Sequence, residues 1–394
     1  MFATFPTSGD RQAVDRKTMS DQVIRVGVTG TGYPEQRNII GLPFRNVHIG
    51  RHRDPIQWVD LLYFKLTGKF NTWTHAVHND LGLSRFDVHH FFNKVSYSSK
   101  PWVSTFESFI PRHGHPSWGM VATMTRSSCL QLIAMSDRAK RTAASRLERF
   151  PNLRDDIMER VMVVHPPQAT ILNSVADKTL LGDRIRLILV GHLFFLKGGL
   201  EVLRVVDRLL DRRAPLHLTI VSTLQTGDYV THSGTKEMEA AMRIIASHPQ
   251  SITHHKTLPN AQVLELFRTS DVSLLPSYHD SYGYSVLESQ ACGCPAITTD
   301  VAALPEINSD AQGWLLRMPT NEVGDGPWRQ SEGRATMSRL IEEQLEATLE
   351  AILRTPEQIR AKGANALQRI RDEHSPETRA ALVEAIYSKV RGRS

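Results

Sequence analysis

Residues 274–306 read LLPSYHDSYGYSVLESQACGCPAITTDVAALPE, and this stretch decides the fold. The largely apolar run 272–275 is short and closed by Pro276, the pattern of a strand buried in a parallel sheet. A polar loop containing Gly283 follows, and a helix is expected to begin near Ser285. The first turn of a helix leaves backbone N–H groups unsatisfied. Those of Tyr284, Ser285 and Val286, at the positive end of the helix dipole, would face an anion held above the strand. Asp280 on the loop and Glu288 one turn into the helix place two carboxylates near the same point. Gly293 and Pro295 punctuate the helix end, and the next strand starts at 296–298.

The stretch resembles the donor-binding signature of the retaining, GT-B fold glycosyltransferases of the large sucrose-synthase-like family 4, the glycosyl transferases group 1. That signature has two acids separated by seven residues around a Gly, here Asp280 and Glu288 around Gly283. Its context is present too: Leu275-Pro276-Ser277 before, Gly293-x-Pro295 after, Leu304-Pro305-Glu306 beyond. The resemblance implies an α/β protein of two Rossmann-like doubly wound domains facing a cleft, with a C-terminal helix crossing back to the first domain. It also implies that Glu288 holds the ribose of a nucleotide-sugar and that Asp280 lies beside the sugar. Ser281, Tyr282, Gly283, Tyr284 and Ser285 form the donor loop between them. Asp280 departs from the family pattern, which usually has Glu at this position.

A chain of 394 residues exceeds one typical domain of roughly 150 residues and suggests two or three. No run of about 18 apolar residues is present, so no membrane-spanning helix is expected. Residues 1–22 lack the apolar core of a signal peptide and read as a flexible leader. Cys129, Cys292 and Cys294 are too few for a disulfide framework, and Cys-Gly-Cys suits no zinc site. The expected compartment is the cytoplasm. Residues 1–150 hold 20 Lys and Arg against 11 Asp and Glu. An excess of this size is either a solvated face or a means of meeting an anionic membrane surface or an anionic acceptor such as a lipid diphosphate. No nucleic-acid-binding motif accompanies it, so nucleic acid is not an expected partner.

The first domain is expected over residues 23–167. A strand at 23–28 leads into Thr29-Gly30-Thr31-Gly32-Tyr33-Pro34, where the third glycine of a dinucleotide fingerprint is replaced by Glu35. The turn suits close backbone approach to a ligand, and the resemblance implies that Gly30 and Gly32 border the acceptor side. A helix is expected at 54–69 with an apolar face of Trp58, Leu61, Leu62 and the stem of Lys65, followed by strands at 86–90 and 102–106. His75, His78, His89, His90, His113 and His115 invite a metal assignment. His75-x-x-His78 has no Cys or carboxylate partner at ligand spacing, however, and the 89–90 doublet cannot readily turn both rings to one ion, so no metal site is expected. Glu107 ends the 102–106 strand where the family commonly places a His facing the donor sugar. It is grouped with Asp280 and Lys197 as a catalytic candidate, and His113 or His115 could fill the missing role on the acceptor side. A strand at 129–135, a basic helix at 138–149 and a strand at 161–165 complete the domain.

Residues 168–182 are polar and read as the linker to a second domain at 183–374, with a crossover helix at 375–394. The strand 186–190 is followed by Gly191-His192-Leu193-Phe194-Phe195-Leu196-Lys197-Gly198-Gly199. This resembles the family loop in which an Arg after the first Gly and a Lys before a later Gly grip the donor diphosphate. Lys197 matches, whereas His192 stands at the Arg position and lacks the guanidinium fork. Strands at 216–222 and 254–257 and helices at 235–247 and 260–269 continue the βαβ rhythm, and by the family pattern Lys256 lies near the nucleotide base. Helices are expected at 334–354 and 355–373. No Asp-x-Asp occurs in the chain, which argues against divalent-metal binding of the donor. The implied activity is a metal-independent, cofactor-free retaining hexosyl transfer from a nucleotide diphosphate sugar to a glycan, lipid-linked or small-molecule acceptor. The rivals are a catalytically silent nucleotide- or carbohydrate-binding protein and a nucleotide-sugar epimerase or hydrolase on the same architecture.

Overall fold

A computed structural model describes residues 23–52, 54–69, 71–178 and 182–391. The expected leader at 1–22 lies outside the described residues, as do the last three positions of the crossover segment. The chain divides into two units. One comprises the residues up to Ile133, Arg146–Met162 and the stretch from Pro376 onward; the other comprises Ala134–Ser145 and Val163–Ser375.

The first unit is built on β1 (Ile24–Val28), β2 (Val47–Arg51), β4 (Val88–Phe92), β6 (Trp102–Phe106), β7 (Cys129–Ala134) and β8 (Val161–Val163), in the order β2-β1-β4-β6-β7-β8. The short strands β3 (Val77–His78) and β5 (Val95–Ser96) pair separately in parallel. β1 runs parallel to β2 and β4, so the strand order reverses direction at β1. Val26, Val88, Trp102, Val103 and Phe106 are fully buried in this sheet, which explains the near-continuous apolar runs. The C-terminal helix, Pro376–Ser388, groups with this unit. Its Tyr387 hydroxyl lies 2.5 Å from His90 Nδ1, and its Glu384 carboxylate accepts the N–H groups of Arg45 and Asn46 at 3.1 Å each.

The second unit carries β9 (Ile185–Val190), β10 (Leu216–Val221), β11 (Ile252–His255), β12 (Val272–Leu275), β13 (Ala296–Thr299) and β14 (Trp314–Leu316). They lie in the order β11-β10-β9-β12-β13-β14, all neighbours parallel. Numbered along the chain this is 3-2-1-4-5-6, the dinucleotide-binding order, with its switch point between β9 and β12.

The apolar face expected on the 54–69 helix is corrected. The helix Pro55–Thr67 turns Trp58 and Leu62 outward to solvent, and the Leu61 side chain lies outside what is described. What it buries is Asp60, whose carboxylate takes Asn71 N–H at 3.1 Å and the Thr74 hydroxyl at 2.7 Å at the start of the next helix. The inner side of this helix is therefore held by polar contacts, a pattern that apolar periodicity cannot register.

Candidate functional site

The switch point separates the loops that leave β9 and β12, because the helices that follow these neighbouring strands run to opposite faces of the sheet. Those two loops hold residues 191–198 and 276–283. They meet closely: Gly198 has φ +74°, and a Cβ there would stand 2.2 Å from the Pro276 carbonyl oxygen, so only glycine fits. Gly191 clears the way for the lysine stem, since a Cβ at 191 would lie 2.8 Å from Lys197 Cγ. Lys197 thus reaches across the loop pair, and its Nζ donates to Asp280 Oδ2 at 2.5 Å. The other oxygen, Asp280 Oδ1, accepts the Tyr282 N–H at 3.2 Å, fixing the carboxylate. Both side chains are largely buried, with 18% of Lys197 and 11% of Asp280 exposed, so the pair is screened less than a surface ion pair.

Gly283, at φ +90°, is the N-cap of the helix Tyr284–Ala291. A Cβ there would meet Leu304 Cδ2 at 2.8 Å and Ile307 Cδ1 at 2.9 Å, so both the backbone angle and the space demand glycine. The expected trio of amides at this terminus needs one correction: Val286 N–H donates to the Gly283 carbonyl at 2.9 Å and is not available to an anion. Glu288 is buried one turn along and accepts from Asn260 Nδ2 at 3.2 Å. Ser281, Tyr284 and Ser285 are half-buried along the same loop and helix start. Tyr282 takes a different course. Its ring is buried, and its hydroxyl pairs with His165 Nδ1 at 3.1 Å, so it contributes to the site through its backbone. His192 is exposed on the β9 loop. Lys256 is also exposed, but it follows β11, the outermost strand, with β10 between that strand and β9.

Two residues that sequence reading passed over belong to this neighbourhood. Asn260 holds Glu288, and nothing in its local sequence indicates a partner so far along the chain. His279, next to Asp280, is largely buried, and its Nδ1 lies 3.5 Å from Asp325 Oδ1. Burial, then the nearby Arg138 guanidinium, pushes its pKa below the ordinary imidazole value.

In the first unit, Gly30 and Gly32 close around a carboxylate. A Cβ at 30 would meet Glu35 Oε1 at 2.0 Å and one at 32 would meet Oε2 at 3.0 Å. The residue that replaces the third glycine thus fills the turn with negative charge, opposite to what a dinucleotide phosphate needs. Glu107, at the end of β6, pairs with Arg112, and its N–H donates to Asn93 Oδ1 at 3.2 Å. His113, on the same loop, accepts the His115 N–H at Nδ1.

Comparison with known proteins fits this geometry. Residues 173–322, all within the second unit, match the family model for glycosyl transferases group 1. A D-inositol 3-phosphate glycosyltransferase of Arthrobacter sp. (strain FB24) is 31% identical over 136 residues, which are 34% of this chain and 30% of that protein. The chain thus spans about a third of the length of this curated relative. A glycosyltransferase structure from Rickettsia africae ESF-5 superposes with a TM-score of 0.61 at 11% identity, covering 95% of this chain and all of that one. Anabaena HepE, solved in complex with UDP, superposes with a TM-score of 0.58 at 11% identity, covering 93% and 100%. The fold is GT-B, an α/β architecture with two Rossmann-like parallel sheets.

Proposed function

We propose that this protein is a retaining glycosyltransferase that moves a hexose from a nucleotide diphosphate sugar to an acceptor hydroxyl. The observation that carries this reading is the meeting of Lys197 and Asp280 at the β9/β12 switch point, inside the group 1 region. The solved HepE complex contains UDP, and a uridine diphosphate sugar is the first donor to test.

The barrier in such a transfer is departure of the nucleoside diphosphate as positive charge develops at the anomeric carbon. Groups that stabilise the leaving anion therefore act in the transition state. Lys197 supplies a cation, and the amide end of the helix Tyr284–Ala291 supplies oriented dipoles. Asp280 holds the ammonium in place and lies beside the sugar, while Glu288, held by Asn260, accepts the ribose hydroxyls. The transfer centre takes no metal and no cofactor: a lysine and a helix terminus serve as the electrophilic groups, and the chain contains no Asp-x-Asp. Glu107, His113 and the Gly30–Gly32 turn serve the acceptor.

The acceptor is a glycan or is lipid-linked, and the first unit makes peripheral contact with an anionic membrane. Two features support this. The unit is rich in Lys and Arg, and the helix Pro55–Thr67 presents Trp58, Leu62 and Leu66, at 62%, 59% and 76% exposure, along one face beside exposed Lys65 and Lys69. Among the described residues no helix is long and apolar enough to cross a membrane.

The deciding experiment measures nucleoside diphosphate release from UDP-, GDP- and ADP-hexoses, with and without lipid-phosphate acceptors, on wild type and Lys197→Ala. Acceptor-dependent release that is lost in the variant supports transfer. Release at full rate without acceptor would favour a hydrolase, and binding with no release would favour a silent binder.

A further inference from the structure

Two of the histidines that sequence spacing could not join, His78 and His89, are brought by the fold to a third, His52, which that spacing did not single out. His52 follows β2, His78 ends β3 and His89 lies within β4, yet their ring centroids stand 5.4, 4.8 and 5.0 Å apart for the pairs 52–78, 52–89 and 78–89. One nitrogen from each ring lies within 4.8 Å of one from each of the others. Rings bound to a common tetrahedral zinc at about 2.0–2.1 Å would have centroids roughly 5 Å apart, so the spacing already matches.

The rest of the arrangement is that of a built site. His78 and His89 are fully buried. His78 is oriented by a 2.9 Å hydrogen bond between its Nδ1 and Ser96 Oγ, while its Nε2 has no partner. Both ring nitrogens of His89, Nε2 of His52 and Oδ2 of Asp80 are likewise buried without a hydrogen-bond partner. Asp80 Oδ2 stands 3.7 Å from His89 Nε2, while Asp80 Oδ1 is anchored by the Gly82 N–H. So many unsatisfied polar atoms in one apolar pocket would be costly unless a ligand engages them. The sheet makes room for them: Gly27 pairs with His89, and a Cβ at 27 would lie 2.8 Å from His89 Nδ1. Phe86 and Phe91 wall the cluster with aromatic carbon.

We propose that His52, His78 and His89 bind a divalent transition-metal ion, zinc by the chemistry of the donor set, which ties β2, β3 and β4 together. Three imidazoles are a zinc donor set that leaves one position open, and Asp80 stands beside His89 at 3.7 Å. Only His52 is partly exposed, and it marks the route of entry.

The test uses tag-free, full-length protein stripped with EDTA and then titrated with zinc chloride, with magnesium chloride as control. Bound metal is measured by mass spectrometry after gel filtration, and stability by thermal melting. The expected result is one zinc per chain, a rise in Tm with zinc and none with magnesium. Cobalt in place of zinc should give the visible absorption of a tetrahedral site. His52→Ala, at the exposed edge and checked for folding by circular dichroism, should weaken zinc binding roughly tenfold or more. His75→Ala, outside the cluster, should leave it unchanged. Folded wild-type protein that retains no zinc, or a His52→Ala variant that binds zinc as tightly as wild type, overturns the proposal.

Discussion

At the scale of single residues, the second-unit site turns on a few atoms whose removal has different consequences. Glu288 is buried and held by Asn260, so Glu288→Ala removes a charged acceptor and should weaken nucleotide binding by about 1.5–3 kcal/mol, readable by calorimetric titration with UDP. Unchanged affinity would refute the ribose assignment. Lys197→Ala should behave otherwise. Its charge is needed most as the diphosphate leaves, so kcat should fall by a larger factor than the nucleotide Kd rises, as steady-state kinetics would reveal. Gly283→Ala forces an L side chain to φ +90° and into Leu304 and Ile307, and a loss of about 2–4 kcal/mol is expected in denaturant melts. Asp280, Glu288, Lys197 and the glycines were all visible as a pattern. That Lys197 donates to Asp280 was not, because 83 positions separate them and each is charged for reasons its own neighbours do not disclose.

Elements show where local pattern suffices. The helices Thr235–Ser247 and Asn260–Thr269 and the strands Trp102–Phe106 and Val272–Leu275 lie where periodicity and punctuation put them. Strand ends shift where pairing overrides local composition. β4 is Val88–Phe92, not 86–90, because Asp87 is occupied by Arg25 and β1 pairs from Val88 onward. β11 is Ile252–His255, not 254–257, because Ile252 pairs with Leu218 of β10. The short edge strands β2 and β14 gave no clear alternation and were missed. The helix Asp137–Leu147 depends on a residue remote in sequence: the Glu306 carboxylate accepts the N–H groups of Asp137 and Arg138 at 2.7 Å each. Glu306→Ala should therefore cost about 1–2 kcal/mol by thermal melting, the magnitude of a lost helix cap with its favourable charge. The outward face of the helix Pro55–Thr67 belongs to this scale too. Changing Trp58 and Leu66 to Ser should reduce co-sedimentation with phosphatidylglycerol vesicles while leaving UDP affinity unchanged, since both sites are solvent-facing.

For the whole molecule, partly buried imidazoles tie stability to pH. His165, His217 and His279 all have pKa values lowered first by burial. The unfolded chain protonates these groups near pH 6.5, whereas the folded chain resists doing so until lower pH. Their contribution is therefore complete above that value and is lost as pH falls. The Tm should be level from pH 8 to 7 and decline from about 6.5 downward, the unfolding free energy falling by up to about 1.4 kcal/mol per pH unit for each such ring. The sequence by itself determined the strand–loop–helix grammar and the doubly wound class, since these follow from apolar runs, glycines and prolines acting over a few residues. Tertiary structure alone decided which distant residues touch: Lys197 with Asp280, Glu306 with the helix at Asp137, and His52, His78 and His89 around one point. The physical reason is that strand order and register bring far-separated residues into contact, and no local pattern along the chain encodes that order.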